Sequence, residues 1–183
     1  MGGGINAWKG LVAEGAPQSG MAYFSPATRP EELMALAWFL EDGSRKFYSE
    51  LAAILTDREA KDLYSQLTKA EENHQATLLK LYKEFSGKAF DPGFPESVVP
   101  PGREGGDVME GGVHVSEALQ WAKGRKTPDI LEFSLSLETN SFDLYLKMER
   151  QMKDEHSANV FHLLSAEEKQ HLERLSALLE KRI

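Results

Sequence analysis

Four stretches of the chain place their core-facing positions at alternating steps of three and four, as a helix does when it buries one stripe. The first reads Ala37, Glu41, Ser44, Tyr48, Leu51, Leu55, and the second Leu67, Glu71, His74, Leu78, Leu81, Phe85. The third reads Ser134, Glu138, Ser141, Tyr145, Met148, Met152, and the fourth Leu164, Glu168, His171, Leu175, Leu178. Carboxylates and imidazoles therefore occupy positions that the pattern reserves for core. In the second and fourth stretches the pair is Glu-x-x-His, three apart on a helix, so both side chains point the same way.

Punctuation between the stretches sets the expected elements. Thr28-Arg29-Pro30-Glu31-Glu32 opens helix one, with proline and acids in the first turn, and the helix runs to about Leu55. Asp57 is the expected N-cap of helix two, which Gly87 ends. Residues 88–127 are rich in Gly and Pro and read as a connection with one short helix near Ser116 to Lys123. Thr127-Pro128-Asp129 opens helix three, Lys153-Asp154 turns the chain, and helix four runs from about Glu155 to Lys181. Two short turns flanking one long connection predict an all-α four-helix bundle over 28–183, with a crossover at 88–127 between helices two and three.

The two halves repeat. Glu41, Ser44 and Tyr48 recur as Glu138, Ser141 and Tyr145, and Glu71 and His74 as Glu168 and His171, all at one offset of 97 residues. A duplicated helical hairpin accounts for this, and a pseudo-twofold would bring four glutamates and two histidines to one level of the core. Four buried carboxylates without counter-charge are very costly. Two divalent cations balance them, and oxygen with imidazole nitrogen suits iron or manganese, with zinc also compatible. The expected metal ligands are Glu41, Glu71, His74, Glu138, Glu168 and His171. Tyr48 and Tyr145 are placed to hydrogen-bond ligating carboxylates. Glu72 and Glu167 lie off the stripe and read as solvated. His114, His156 and His162 lack partners at the repeat offset and read as surface or structural; Trp38 and Trp121 read as packing residues.

Composition narrows the remainder. Net charge is −8, from 21 basic and 29 acidic residues, which argues against nucleic acid or anionic membrane as partner. No apolar run approaches the roughly 20 residues of a membrane span, and the N-terminus has no apolar signal core, so a cytoplasmic location is the expectation. The chain has no cysteine, which excludes disulfides, thiolate metal sites and cysteine nucleophiles.

Through Glu41-x-x-Ser-x-x-Phe-Tyr, Ala-Glu71-Glu-Asn-His74, Glu138-x-x-Ser-x-x-Leu-Tyr and Glu168-x-x-His171, the chain resembles the rubrerythrin branch of the ferritin-like superfamily. The resemblance implies a carboxylate-bridged pair of iron ions that reduces hydrogen peroxide or oxygen, a role in oxidative stress, and a homodimer, domain-swapped or not. With no cysteine to build a rubredoxin-like module, it implies an external electron-donor protein. The alternative is an iron-binding, ferroxidase or metal-handling protein without peroxidase turnover. Members of that branch carry a further carboxylate one turn from a helix-three ligand; here Ser134, Leu135, Ser141 and Phe142 surround Glu138. Residues 1–27 form an N-terminal arm in which Gly-Gly-Ile5-Asn-Ala-Trp8-Lys resembles the last helix of a rhodanese domain. The rhodanese cysteine is absent, so no sulfurtransferase activity is expected.

Overall fold

The computed structural model describes residues 29–87, 91–99 and 106–183. The N-terminal arm lies outside the described residues. Five helices carry most of the described chain: α1 Pro30–Ile54, α2 Arg58–Ser86, α3 Val115–Ala122, α4 Thr127–Gln151 and α5 Glu155–Glu180. The all-α expectation holds. The helix ends follow local chemistry. Pro30 sits in the first turn of α1, whose opening backbone N–H, at Arg29, donates to Glu32 Oε2 at 3.1 Å. Asp57 caps α2, accepting from the Ala60 N–H at 3.2 Å, and Gly87 ends it at φ +68°. Asp154 caps α5, accepting from the Ser157 N–H at 2.7 Å.

Helices α1 and α2 form one hairpin and α4 and α5 the other, and α2 also packs against α5. The apolar core divides into two layers. One gathers Phe47, Tyr48, Leu51, Tyr64, Leu67, Phe133, Leu137 and Leu175. The other gathers Met34, Leu40, Leu78, Leu81, Leu144, Tyr145, Phe161 and Leu164. On every long helix the stretch between the layers buries ionisable residues: Glu41 on α1, Glu71 and His74 on α2, Glu138 on α4, Glu168 and His171 on α5, with Ser44, Gln75 and Ser141 buried beside them. The predicted stripes are buried as drawn except at their ends, where Leu55 and Met152 are partly buried and Phe85, at the end of the α2 stripe, is 42% exposed. It falls in the last turn of α2, beyond the last residue of the neighbouring layer.

The connection carries more structure than its Gly and Pro content predicts. A two-stranded antiparallel hairpin, β1 Val108–Met109 and β2 Val113–His114, precedes α3. Its turn, Glu110–Gly112, places Gly111 and Gly112 at φ +73° and +74°, where residues with a Cβ are strained. The hairpin lies on α1 at Gly43. A Cβ there would stand 2.2 Å from the Val108 carbonyl oxygen and 2.8 Å from the Met109 Cα, both backbone. The repeat position on α4 is Asn140, so this glycine marks the face where the halves differ.

Two outcomes follow. Gly43→Ala forces β1 away from α1; the expected cost is about 1–3 kcal/mol, as for overpacking of a tight contact, read from chemical denaturation. Asp57 also accepts from Arg182 Nε at 2.7 Å, and that guanidinium lowers its carboxyl to about 2. Because the folded value lies below the unfolded value of about 3.9, this contribution is complete above the unfolded value. It disappears as pH falls toward 2. Asp57→Asn should flatten that acid limb of the stability profile, and an unchanged limb would contradict the assignment.

Candidate metal centre

All six residues singled out from the repeat meet between the two apolar layers. Glu41, Glu71, Glu138, Glu168, His74 and His171 are each exposed by no more than 4%. The two imidazole rings lie near parallel with centroids 5.5 Å apart. Each turns its Nδ1 into the cluster. His74 Nδ1 is 3.2 Å from Glu41 Oε2, 3.0 Å from Glu71 Oε2 and 3.1 Å from Glu168 Oε1. His171 Nδ1 is 3.1 Å from Glu138 Oε2, 3.2 Å from Glu168 Oε2 and 4.0 Å from Glu71 Oε1. Glu71 and Glu168 thus offer one oxygen to each imidazole, whereas Glu41 serves only His74 and Glu138 only His171. Two groups with ligand atoms within 4.8 Å of one another result: Glu41, Glu71, His74 and Glu168, and Glu71, Glu138 and His171.

Hydrogen bonding alone does not account for this geometry. An imidazole Nδ1 carries at most one proton, which cannot serve three carboxylate oxygens at once. Two of those oxygens, Glu71 Oε2 and Glu168 Oε1, have no hydrogen-bond partner although buried. Two ligands bound about 2.1 Å from one ion at right angles stand about 3.0 Å apart, the spacing seen around each Nδ1. The donor set therefore fits cations of the first transition row.

The surrounding residues hold the ligands in place. The Tyr48 hydroxyl on α1 donates to Glu138 Oε1 on α4 at 2.5 Å, and the Tyr145 hydroxyl on α4 donates to Glu41 Oε1 on α1. Each tyrosine reaches across to the opposite hairpin instead of supporting the glutamate on its own helix. Tyr64, beside Tyr48 in the same layer, pairs with Ser134 Oγ at 2.9 Å.

Two residues were not legible in the stripe. Glu167, read as solvated, has a 54% exposed side chain, yet its Oε2 lies 2.9 Å from His74 Nε2. It sits at the rim, where one oxygen reaches inward, so its off-stripe position hid its contact. Glu110, in the β-hairpin turn, is 4% exposed, and its Oε2 has no hydrogen-bond partner. Its only sequence signal is the following Gly111-Gly112, which marks a tight turn. The remaining histidines lie away from the cluster: His156 pairs with Glu84, His162 with Glu149, and His114 is exposed on β2. Glu72 pairs with Lys69, Trp38 packs edge-on to Phe39 and Phe94, and Trp121 packs on Phe133.

Electrostatics record the crowding. Burial, reinforced by the Glu41 charge, raises the Glu71 carboxyl well above the ordinary range; burial with Glu168 does the same to Glu138. Burial also acts against Glu168, but the His74 charge and bonds from Glu138 and both imidazoles outweigh it and hold Glu168 low. Burial disfavours the two imidazolium ions, yet the carboxylates overcome it. Glu41 and Glu168 raise His74 well above its usual value, and Glu138 lifts His171 to about 11.

The Rubrerythrin family model matches residues 129–183, which hold Glu138, Glu168 and His171. A solved structure, the hypothetical protein Pfu-1136390-001 from Pyrococcus furiosus, is similar at a TM-score of 0.62 and 27% identity. The match covers 91% of this chain and 95% of that one. No curated protein matches the chain. These likenesses and the buried Glu/His cluster together point to metal binding within an all-α, ferritin-like architecture. Among the described residues no helix is long and apolar enough to cross a membrane.

Without a cation the cluster holds protons on Glu71, Glu138 and both imidazoles at neutral pH, and ligation must displace them. Metal loading at pH 7 is therefore expected to release protons, and apparent affinity to rise with pH. Calorimetric titration in two buffers of different ionisation enthalpy measures the release; equal heats in both would contradict it.

Proposed function

We propose that residues 28–183 form a ferritin-like four-helix bundle, α1, α2, α4 and α5, holding a carboxylate-bridged pair of iron ions. In this reading the protein reduces hydrogen peroxide or oxygen with electrons from an external donor protein. The observation that carries it is the environment of His74 Nδ1, where three carboxylate oxygens crowd within 3.2 Å of one nitrogen. Glu41, Glu71, His74 and Glu168 would hold one ion, and Glu71, Glu138 and His171 the other.

When bound, such ions supply Lewis acidity and one-electron redox chemistry. The chain does the rest. Tyr48 and Tyr145 fix the outer carboxylates of Glu138 and Glu41 through charge-assisted hydrogen bonds, each worth about 1.5–3 kcal/mol. Glu167 orients the His74 ring through Nε2, leaving Nδ1 for the cluster. The apolar layers above and below exclude water, which strengthens every charge interaction between them. Reduction of one hydrogen peroxide to two waters takes two electrons and two protons. In this reading those electrons come from an external donor protein.

Elemental analysis of protein purified without chelator should find two iron ions per chain, and the double variant Glu71→Ala, Glu168→Ala should lose both. Anaerobic ferrous protein mixed with peroxide should oxidise rapidly in stopped flow. Retained metal in the double variant would refute the ligand set, and inert ferrous protein would refute the redox role in favour of metal handling.

A further inference from the structure

Among the described residues of the crossover, Glu110 is the carboxylate buried beside the layer of charged groups. Three independent features place it there. The tight turn at Gly111 and Gly112 lets the chain reverse beside it, and the strand before it is seated on α1 where Gly43 has no side chain. The turn contacts both α1 and α4, the helices that carry Glu41 and Glu138. Its Oε2 is buried with no hydrogen-bond partner. Burial, reinforced by the charges of Glu41, Glu71 and Glu168, raises its carboxyl well above the ordinary range, and burial together with neighbouring charges, Glu110 among them, raises the Tyr48 hydroxyl. An unpaired buried carboxylate costs several kcal/mol unless a counter-charge is present. No Lys or Arg pairs with it among the described residues, and the imidazoles are engaged by other glutamates.

Once ionised, that oxygen needs a positive partner within the layer. On the metal-pair reading given above, on which this inference rests, four glutamates neutralise two divalent ions, and any higher total charge leaves the pair cationic in a dry layer. We infer that Glu110 is a fifth carboxylate of the metal centre, delivered by the crossover and not by any of the four long helices. It stands outside the two tightest groups of ligand atoms and would add to them from the crossover side. Position 110 lies between the two repeated hairpins and belongs to neither. The fifth carboxylate thus makes two otherwise matched metal positions unequal.

Cobalt(II) is the probe, because its visible spectrum reports coordination number. Wild type should bind two cobalt ions per chain. Glu110→Gln, which keeps shape and removes charge, should bind one of them about 10–100-fold more weakly, the range found when a supporting ligand is lost, and should show the stronger absorption of lower coordination. Glu110→Ala should lose affinity likewise and regain it, with the wild-type spectrum, when millimolar acetate is added; a packing role would not respond to acetate. Unchanged affinity and spectrum in Glu110→Gln, or failure of acetate to restore Glu110→Ala, would overturn the inference while leaving the six-residue site intact. No cobalt binding by wild type would overturn both.

Discussion

The structure depends on how a layer of charge survives inside an apolar protein. Above and below the six residues the core is close to wholly hydrocarbon and aromatic. Between these layers lie four carboxylates, one from each long helix, with Glu110 of the crossover turn beside them. Water cannot solvate them there, and helix dipoles contribute little so far from the ends. Compensation has to come from within the layer: from protons and imidazolium ions when no cation is bound, from cations otherwise. Either way the compensating groups must stand close to the carboxylates, and for this reason the helices must be held in close register.

The duplication supplies that register, and its defects carry information. Cross-bracing by Tyr48 and Tyr145 is symmetric: each tyrosine crosses to the glutamate of the other hairpin. Support of the imidazoles is not. Glu167 meets His74 Nε2, whereas the equivalent position 97 residues earlier is Ala70, which has no polar side chain to offer His171. Gly43 admits the crossover against α1, whereas Asn140 occupies the matching place on α4. The two histidines are chemically different for these reasons, although the motifs that carry them look alike.

Much of this was legible in the sequence because a helix converts spacing into direction. Steps of three and four placed Glu41, Glu71, His74, Glu138, Glu168 and His171 on buried stripes, and the coordinates bring them together. Asp57, Gly87 and Asp154 act at helix ends where their types predict. Legibility failed where direction is not set by a helical period. Glu110 sits in a turn, where φ and ψ vary residue by residue, and only the tertiary seat at Gly43 decides what it faces. Glu167 was hidden because its backbone position is exposed while its flexible side chain reaches inward. Phe85 shows the opposite limit: a stripe can continue in sequence after the neighbouring layer has ended.

The division of ligands between the hairpins has a mechanical consequence. The group around His74 draws on α1, α2 and α5, and the group around His171 on α2, α4 and α5. Neither hairpin alone completes either group. Bound cations would therefore act as rivets through the seam, and prying the halves apart would break every bridging bond together. Opening of the seam and loss of cargo become one event, which makes the rate of ion escape a gauge of how often the two halves part.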